Sequence, residues 1–174
     1  MEKKSSISAE EVIMVCAFTG HRPHKLPWGN EEQDPRCIAV KTMMEKRLME
    51  ACDLGCHTFL CGMARGCDLY FAEAVLLLRQ SRPEIRLVAM IPYPDQAKNW
   101  PEEDRKRYQV LCEQADSCEI LSSVYAPDCM QKRNRAMVDQ AQVLISVYDG
   151  SPSGTGSTVR YAEKLSRIIL PVWI

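Results

Sequence analysis

No run of apolar residues in this chain approaches the ~18 needed to cross a bilayer as a helix, so no membrane partner is expected. An excess of charge is missing as well. Lys and Arg number 22 against 23 Asp and Glu, for a formal net charge of −1. No global field then draws the chain to polyanions, which argues against nucleic acid as a partner and leaves phosphate binding to a local site. Cysteine pairs at C-x-x-C spacing are absent. The nine cysteines lie mostly in apolar stretches such as Val15-Cys16-Ala17 and Phe59-Leu60-Cys61, as reduced thiols used as small hydrophobes. Cys52, Cys56, His57 and Cys61 are close in sequence but straddle a helix end and a strand, so no metal is expected. Nothing in the residues calls for a cofactor. The N-terminus lacks a secretory pattern, because the apolar run from Val12 to Phe18 is short and strand-like. Residues 1–10 read as a flexible tail and the protein as cytoplasmic.

What is present is an ordinary globular composition, 46% apolar and 26% charged over 174 residues, enough for one domain with its own core. Residues 12–18 form a continuous apolar run that ends at Thr19-Gly20, as in a strand buried on both faces. Val40, Met44, Leu48 and Ala51 recur at helical spacing, and Gly55 ends that helix. Further strands are predicted at Thr58–Cys61, Arg86–Ile91, Cys118–Leu121, Val143–Tyr148 and Ile168–Val172. Helices intervene, one from an Asp68 N-cap, one over Glu102–Ala115, one over Asp128–Gln142 and one from about Thr158. The segment Pro92–Pro101 is a loop with the character of a lid. Strands alternating with helices, with no repeat and no linker, give an α/β fold: a single Rossmann-like domain over residues 1–174, mostly parallel, with helices on both faces.

In such a sheet, ligands bind outside the carboxyl ends of the strands. Loops at those ends carry Thr19-Gly20-His21-Arg22, Gly62 to Asp68, and Gly150 to Ser157. Topology puts all three on one edge, and two lead into helices whose free N–H groups favour an anion. The glycines Gly20, Gly62, Gly66, Gly154 and Gly156, with Thr155, would let backbone amides approach phosphate oxygens, or would simply make tight turns. His21, Arg22, His24 and Lys25 add local positive charge. Trp28, Tyr93 and Trp100 lie in loops, where they either stack on a base or pack the loop down. Helical spacing aligns Met130, Arg133, Asn134 and Met137, so Arg133 points inward while Arg135 points away. An inward guanidinium calls for an anionic partner: Asp68, Asp139 or a ligand phosphate.

These motifs resemble the SLOG superfamily, the Rossmann-like group that includes the cytokinin-activating phosphoribohydrolases and the DNA-processing protein DprA. Thr19-Gly20-His21-Arg22-Pro23, followed by Lys25-Leu26-Pro27, is similar to the opening signature of its YpsA-like branch, a bacterial and phage family of unknown function. Gly62-Met63-Ala64-Arg65-Gly66-Cys67-Asp68 is similar to that branch's second loop. The phosphoribohydrolases carry Met-x-x-Arg-Lys and Pro-Gly-Gly-x-Gly-Thr-x-x-Glu, whose Arg and Glu serve catalysis. Here Met130 and Arg133 are kept, Asn134 stands for Lys, and Arg160 stands where the Glu is expected. Arg160 would oppose the positive charge that develops on a sugar during glycosidic cleavage. Read as a first-turn residue of the last helix, it is also disfavoured there by the helix dipole, which a bound anion would offset.

The resemblance implies a nucleotide-like small molecule as ligand and a sensor or regulator as the role. An N-glycosidase using Glu163, Asp68 or His21 is the alternative. Self-association into a homo-oligomer is left open.

Overall fold

A computed structural model describes residues 13–174; the first ten residues, read above as a tail, lie outside the described residues. The chain folds as one six-stranded sheet in which every pairing is parallel. The strands are β1 (Met14–Gly20), β2 (Cys56–Cys61), β3 (Arg86–Ile91), β4 (Ser117–Ile120), β5 (Val143–Tyr148) and β6 (Ile168–Trp173). The helices are α1 (Pro35–Asp53), α2 (Cys67–Ser81), α3 (Glu102–Gln114), α4 (Cys129–Gln140) and α5 (Gly154–Lys164), with a 3-10 turn at Pro23–Lys25. Across the sheet the order is β4-β3-β2-β1-β5-β6. The first four strands therefore step one way, and α4 carries the chain back over the sheet so that β5 lies beside β1. The order reverses between those two strands, which is where a crevice opens in doubly wound sheets.

The apolar alternation of β1 and β5 divides the core. Cys16 and Phe18, with Ile145 and Val147, face a layer that includes Met44 and Leu48 of α1 and Phe71 of α2. The Phe18 and Phe71 rings stack there with centroids 4.3 Å apart. Ala17 and Leu144 face Met137 and Val138 of α4 and Val159 and Ala162 of α5. Continuous apolar runs are the expected signature of strands covered on both sides.

Asp34 caps α1, its carboxylate accepting from the Arg36 N–H at 2.8 Å. The segment between β3 and α3 turns inward, with Gln96 and Ala97 buried. Two predicted helix starts need correction. Helix α2 is capped by Gly66 (φ +85°), and Asp68 lies inside its first turn. Helix α5 begins at Gly154, because the Ser153 hydroxyl accepts from the Gly156 N–H at 3.0 Å and offsets the poor propensity of the glycines. No described helix is long and apolar enough to cross a membrane.

Candidate functional site

A cavity of about 250 Å³ opens beyond the carboxyl end of β1, between the N-termini of α4 and α5. Thr19, Gly20, His21, Arg22, Asp68, Arg133, Gly154 and Thr155 line it, all of them expected from sequence. His24, Lys25, Met130, Asn134 and Ser153 complete much of the wall. The loops meet physically. The Lys25 ammonium donates to the Pro152 carbonyl at 3.5 Å, and the Cys67 N–H donates to the His21 carbonyl at 3.2 Å.

Arg133 dominates the electrostatics. It is 3% exposed, and every hydrogen-bond partner of its guanidinium is neutral. Nε donates to Asn134 Oδ1 at 2.7 Å, and Nη1 to the carbonyls of Gly62 and Met90 and to Gln96 Oε1. Nη2 meets only Met130 Sδ, at 3.8 Å, a weak acceptor. Arg133 forms no ion pair among the described residues. Asp139, one partner expected from sequence, instead accepts from the Tyr161 hydroxyl at 2.7 Å. Asp68, the other, accepts from the Ala64 N–H at 3.0 Å and so closes the second loop. The two charges feel each other without touching. Burial pushes the Asp68 carboxyl up, against the pull of Arg133, the Ala64 N–H and Arg22. Burial likewise lowers the Arg133 guanidinium, against the pull of Asp68.

Gly62 does not line the cavity and has no left-handed backbone. Its place in the sequence is explained by Arg133, whose guanidinium occupies the space a Cβ would need. Gly20 is similarly required by packing, since a Cβ there would lie 2.5 Å from Cys67 Cβ. Gly66 alone of these glycines matches the turn role, with φ +85° and a Cβ position 2.8 Å from the His21 carbonyl. Beside them Met63, fully buried, sits at φ 58°, a region that costs a side-chain-bearing residue energy.

At the switch between β1 and β5, His21 (2% exposed) meets Asp149, with Nε2 3.0 Å from Oδ1. Asp149 also accepts from the Ser151 hydroxyl at 2.6 Å and the Ser151 N–H at 2.9 Å. These donors, Ser151 first and then His21, hold its carboxyl well below the usual range. Sequence reasoning missed Asp149, which no spacing links to His21, and also the role of Asn134. The Asn134 amide ties Arg133 to α5, its Nδ2 donating to Thr158 Oγ1 at 3.1 Å, which in turn donates to the Gly154 carbonyl at 2.9 Å. Ahead of Gly156, the first N–H groups of α5 find no acceptor among the described residues.

Other expected residues stand apart. Arg160 is exposed, in the second turn of α5, and does not line the cavity, so the first-turn argument about it is corrected. Glu163 is exposed near the far end of the same helix. Gly156 is buried in the first turn of α5 and does not line the cavity. Trp28 is buried in the core, Tyr93 packs edge-on against Tyr125, and Trp100 packs edge-on against Tyr108. All three aromatics hold loops in place and none lines the cavity. Of the cysteine–histidine cluster, Cys52, Cys56 and Cys61 are buried and His57 is exposed.

The model of the YspA SLOG family matches residues 16–167. The chain belongs to this family. Among its relatives, the UPF0398 protein YpsA of Bacillus subtilis is 28% identical over 146 residues, 82% of this chain and 80% of that one. A UPF0398 protein of Halalkalibacterium halodurans is 30% identical over 148 residues, 81% of this chain and 77% of that one. Among solved structures, DprA from Streptococcus pneumoniae shares the fold with a TM-score of 0.62 at 15% identity, and DprA from Helicobacter pylori with 0.59 at 17%. Each superposition covers 91% of this chain, but 50% of the first DprA chain and 64% of the second. This chain thus spans about half the length of the pneumococcal protein.

The structure of the Helicobacter protein is described for its single-stranded DNA binding mode. That corrects the expectation, drawn from net charge, that nucleic acid is disfavoured as a partner. A sum over the chain hides local concentration: among the cavity-lining residues here, the cations Arg22, Lys25 and Arg133 face a single carboxylate, Asp68.

Proposed function

We propose that this SLOG protein binds a phosphate-bearing, nucleotide-like ligand in the cavity beside β1 and acts as a sensor or regulator. The observation that carries the reading is Arg133. A guanidinium taken out of water without a carboxylate is costly, and the cost is offset when a ligand oxyanion completes its hydrogen bonding. The open N–H groups of α5, together with Arg22 and Lys25, suit the same anion. The phosphate can belong to a free nucleotide or to a single DNA strand, the latter suggested by the DprA fold neighbours. Binding without catalysis is favoured because Arg160 and Glu163 both stand off the cavity, and its one lining carboxylate, Asp68, is engaged by the Ala64 N–H.

Calorimetry with inorganic phosphate, nucleoside monophosphates and a short oligodeoxynucleotide tests this. Heat that saturates for the wild type and is lost in Arg133→Met supports the reading. Absence of binding by every probe overturns it.

A second reading, nucleotide N-glycosidase chemistry, has one observation in its favour. His21 is held by Asp149 at the cavity wall, in the arrangement by which a carboxylate orients an imidazole for proton transfer. Release of free base from nucleoside monophosphates, abolished in His21→Asn, would establish it.

A further inference from the structure

The cavity holds the phosphate end of the ligand just proposed but is too small to enclose a whole nucleotide. Pockets that enclose a whole small-molecule ligand run from ~300 to ~1,000 Å³, and this one measures about 250 Å³. Phosphate and part of a sugar fill it, which leaves a base without a place. A second concavity, of about 360 Å³, lies between α4 and α5 and shares Met130, Asn134, Ser153 and Gly154 with the first. Nothing in the Arg133 site accounts for its other walls.

We infer that the α4–α5 groove is a subsite for a nucleobase-like planar ring, stacked on Arg135, while the phosphate of the same nucleotide unit sits at Arg133. This rests on the phosphate reading above.

Consecutive turns of two helices build the groove. Arg135 lies over Tyr161, its guanidinium carbon 5.1 Å from the ring centroid. The Tyr161 hydroxyl donates to Asp139 at 2.7 Å, which fixes the ring from below. Arg135 itself is exposed and forms no ion pair among the described residues. A planar cation backed by an aromatic ring presents its other face for stacking, and base stacking tolerates any base because each has a π face. No carboxylate lines the groove itself, and Asp139 next to Tyr161 is engaged by the Tyr161 hydroxyl. Gln131 and Ser157 line it with side-chain polar groups that form no hydrogen bond among the described residues, as edge-reading donors and acceptors would. Asn134, by contrast, has its amide engaged on both sides by Arg133 and Thr158. It divides the two chambers and reads neither.

The test separates ring from phosphate. Wild type, Arg135→Ala, Tyr161→Ala and Gln131→Ala are titrated by calorimetry with ribose 5-phosphate, the four common ribonucleoside monophosphates and a short single-stranded oligodeoxynucleotide. At least one base-bearing probe is expected to bind about tenfold or more tighter than ribose 5-phosphate. Arg135→Ala should erase that advantage and leave ribose 5-phosphate affinity unchanged. Tyr161→Ala should do the same, and Gln131→Ala, an exposed substitution that leaves the fold intact, should alter the preference among bases. An advantage confined to the oligodeoxynucleotide identifies a DNA strand as the source; an advantage of monophosphates identifies a free nucleotide. Both uphold the subsite. Equal affinity for ribose 5-phosphate and every base-bearing probe, or an advantage untouched by Arg135→Ala and Tyr161→Ala, overturns it while the phosphate reading stands. Failure of ribose 5-phosphate and all other probes to bind overturns the phosphate reading first.

Discussion

A methyl group on Gly62 would overlap the guanidinium of Arg133, the side chain that donates to the Gly62 carbonyl. The glycine and the arginine, far apart in sequence, are thus one unit: the absent Cβ makes the recess that the cation fills.

Gly62→Ala should therefore both destabilise the fold and unseat the cation. Overpacking of this kind costs about 1–3 kcal/mol, read as a lowered urea midpoint, and phosphate affinity should fall with it. Because the clash needs both partners, Gly62→Ala should cost less in an Arg133→Met background. A double-mutant cycle with no coupling would show that the recess has another purpose.

Arg133→Met should lose binding and cost about 1–3 kcal/mol of stability, as for a buried acceptor left without its donor. The substitution takes a donor from the Met90 carbonyl, leaves the Gly62 carbonyl to Gln96 alone, and removes the cation that most offsets the buried Asp68 carboxylate. Thermal melts with and without saturating phosphate check this, the ligand-induced rise in Tm disappearing in the variant. Arg160→Ala supplies the contrast, with the rise retained, because that side chain is exposed and off the cavity wall.

Acid should erode the His21–Asp149 contact. A carboxyl held low in the folded state contributes stability that is complete above the unfolded value, ~3.9, and is lost as pH falls toward the depressed folded value. Wild type should melt above Asp149→Asn at neutral pH, and the gap should narrow below about pH 4. A gap of constant size through the acid range would count against the assignment.

Away from the site, Arg107 clamps α3 to its neighbours. Its guanidinium donates to Glu73 of α2 at 2.6 and 2.8 Å and to Glu32 before α1, which also accepts from Lys41 at 2.6 Å. Burial pushes the Glu32 carboxyl up, yet Arg107 and Lys41 outweigh it and hold it low. Arg107→Met should cost about 1–3 kcal/mol, as for hydrogen bonds between charged groups. Lys106→Ala, which removes an exposed pair with Glu102 on the same helix, should change the urea midpoint very little.

Much of this architecture was legible in the sequence, and what was illegible has physical reasons. Strands β3 and β5 agree residue for residue with the spans read from the sequence, because turn-forming residues bound them: Pro83 ahead of β3 and Pro92 after it, and Asp149-Gly150 after β5. The inward face of Arg133 followed from helical spacing alone. Its main-chain partners did not, because the carbonyls of Gly62, just past β2, and of Met90 in β3 carry no signature in side-chain identity. The start of α5 was hidden for another reason: Gly154 and Gly156 read as breakers, while one Ser153 hydroxyl suffices to begin the helix. Asp149 was invisible because its pairing with His21 exists only once β5 lies against β1.

The cavity walls come from residues 18–25, 64–68, 130–134 and 153–155, brought together only when α4 has carried the chain back across the sheet. No shorter fragment can assemble the pocket. A ligand seated there would act as a non-covalent staple between early and late segments of the polypeptide, taxing opening of the entire sheet instead of the loops it touches. Amide protection gained on binding would then appear in the central strands, far from any atom of the ligand.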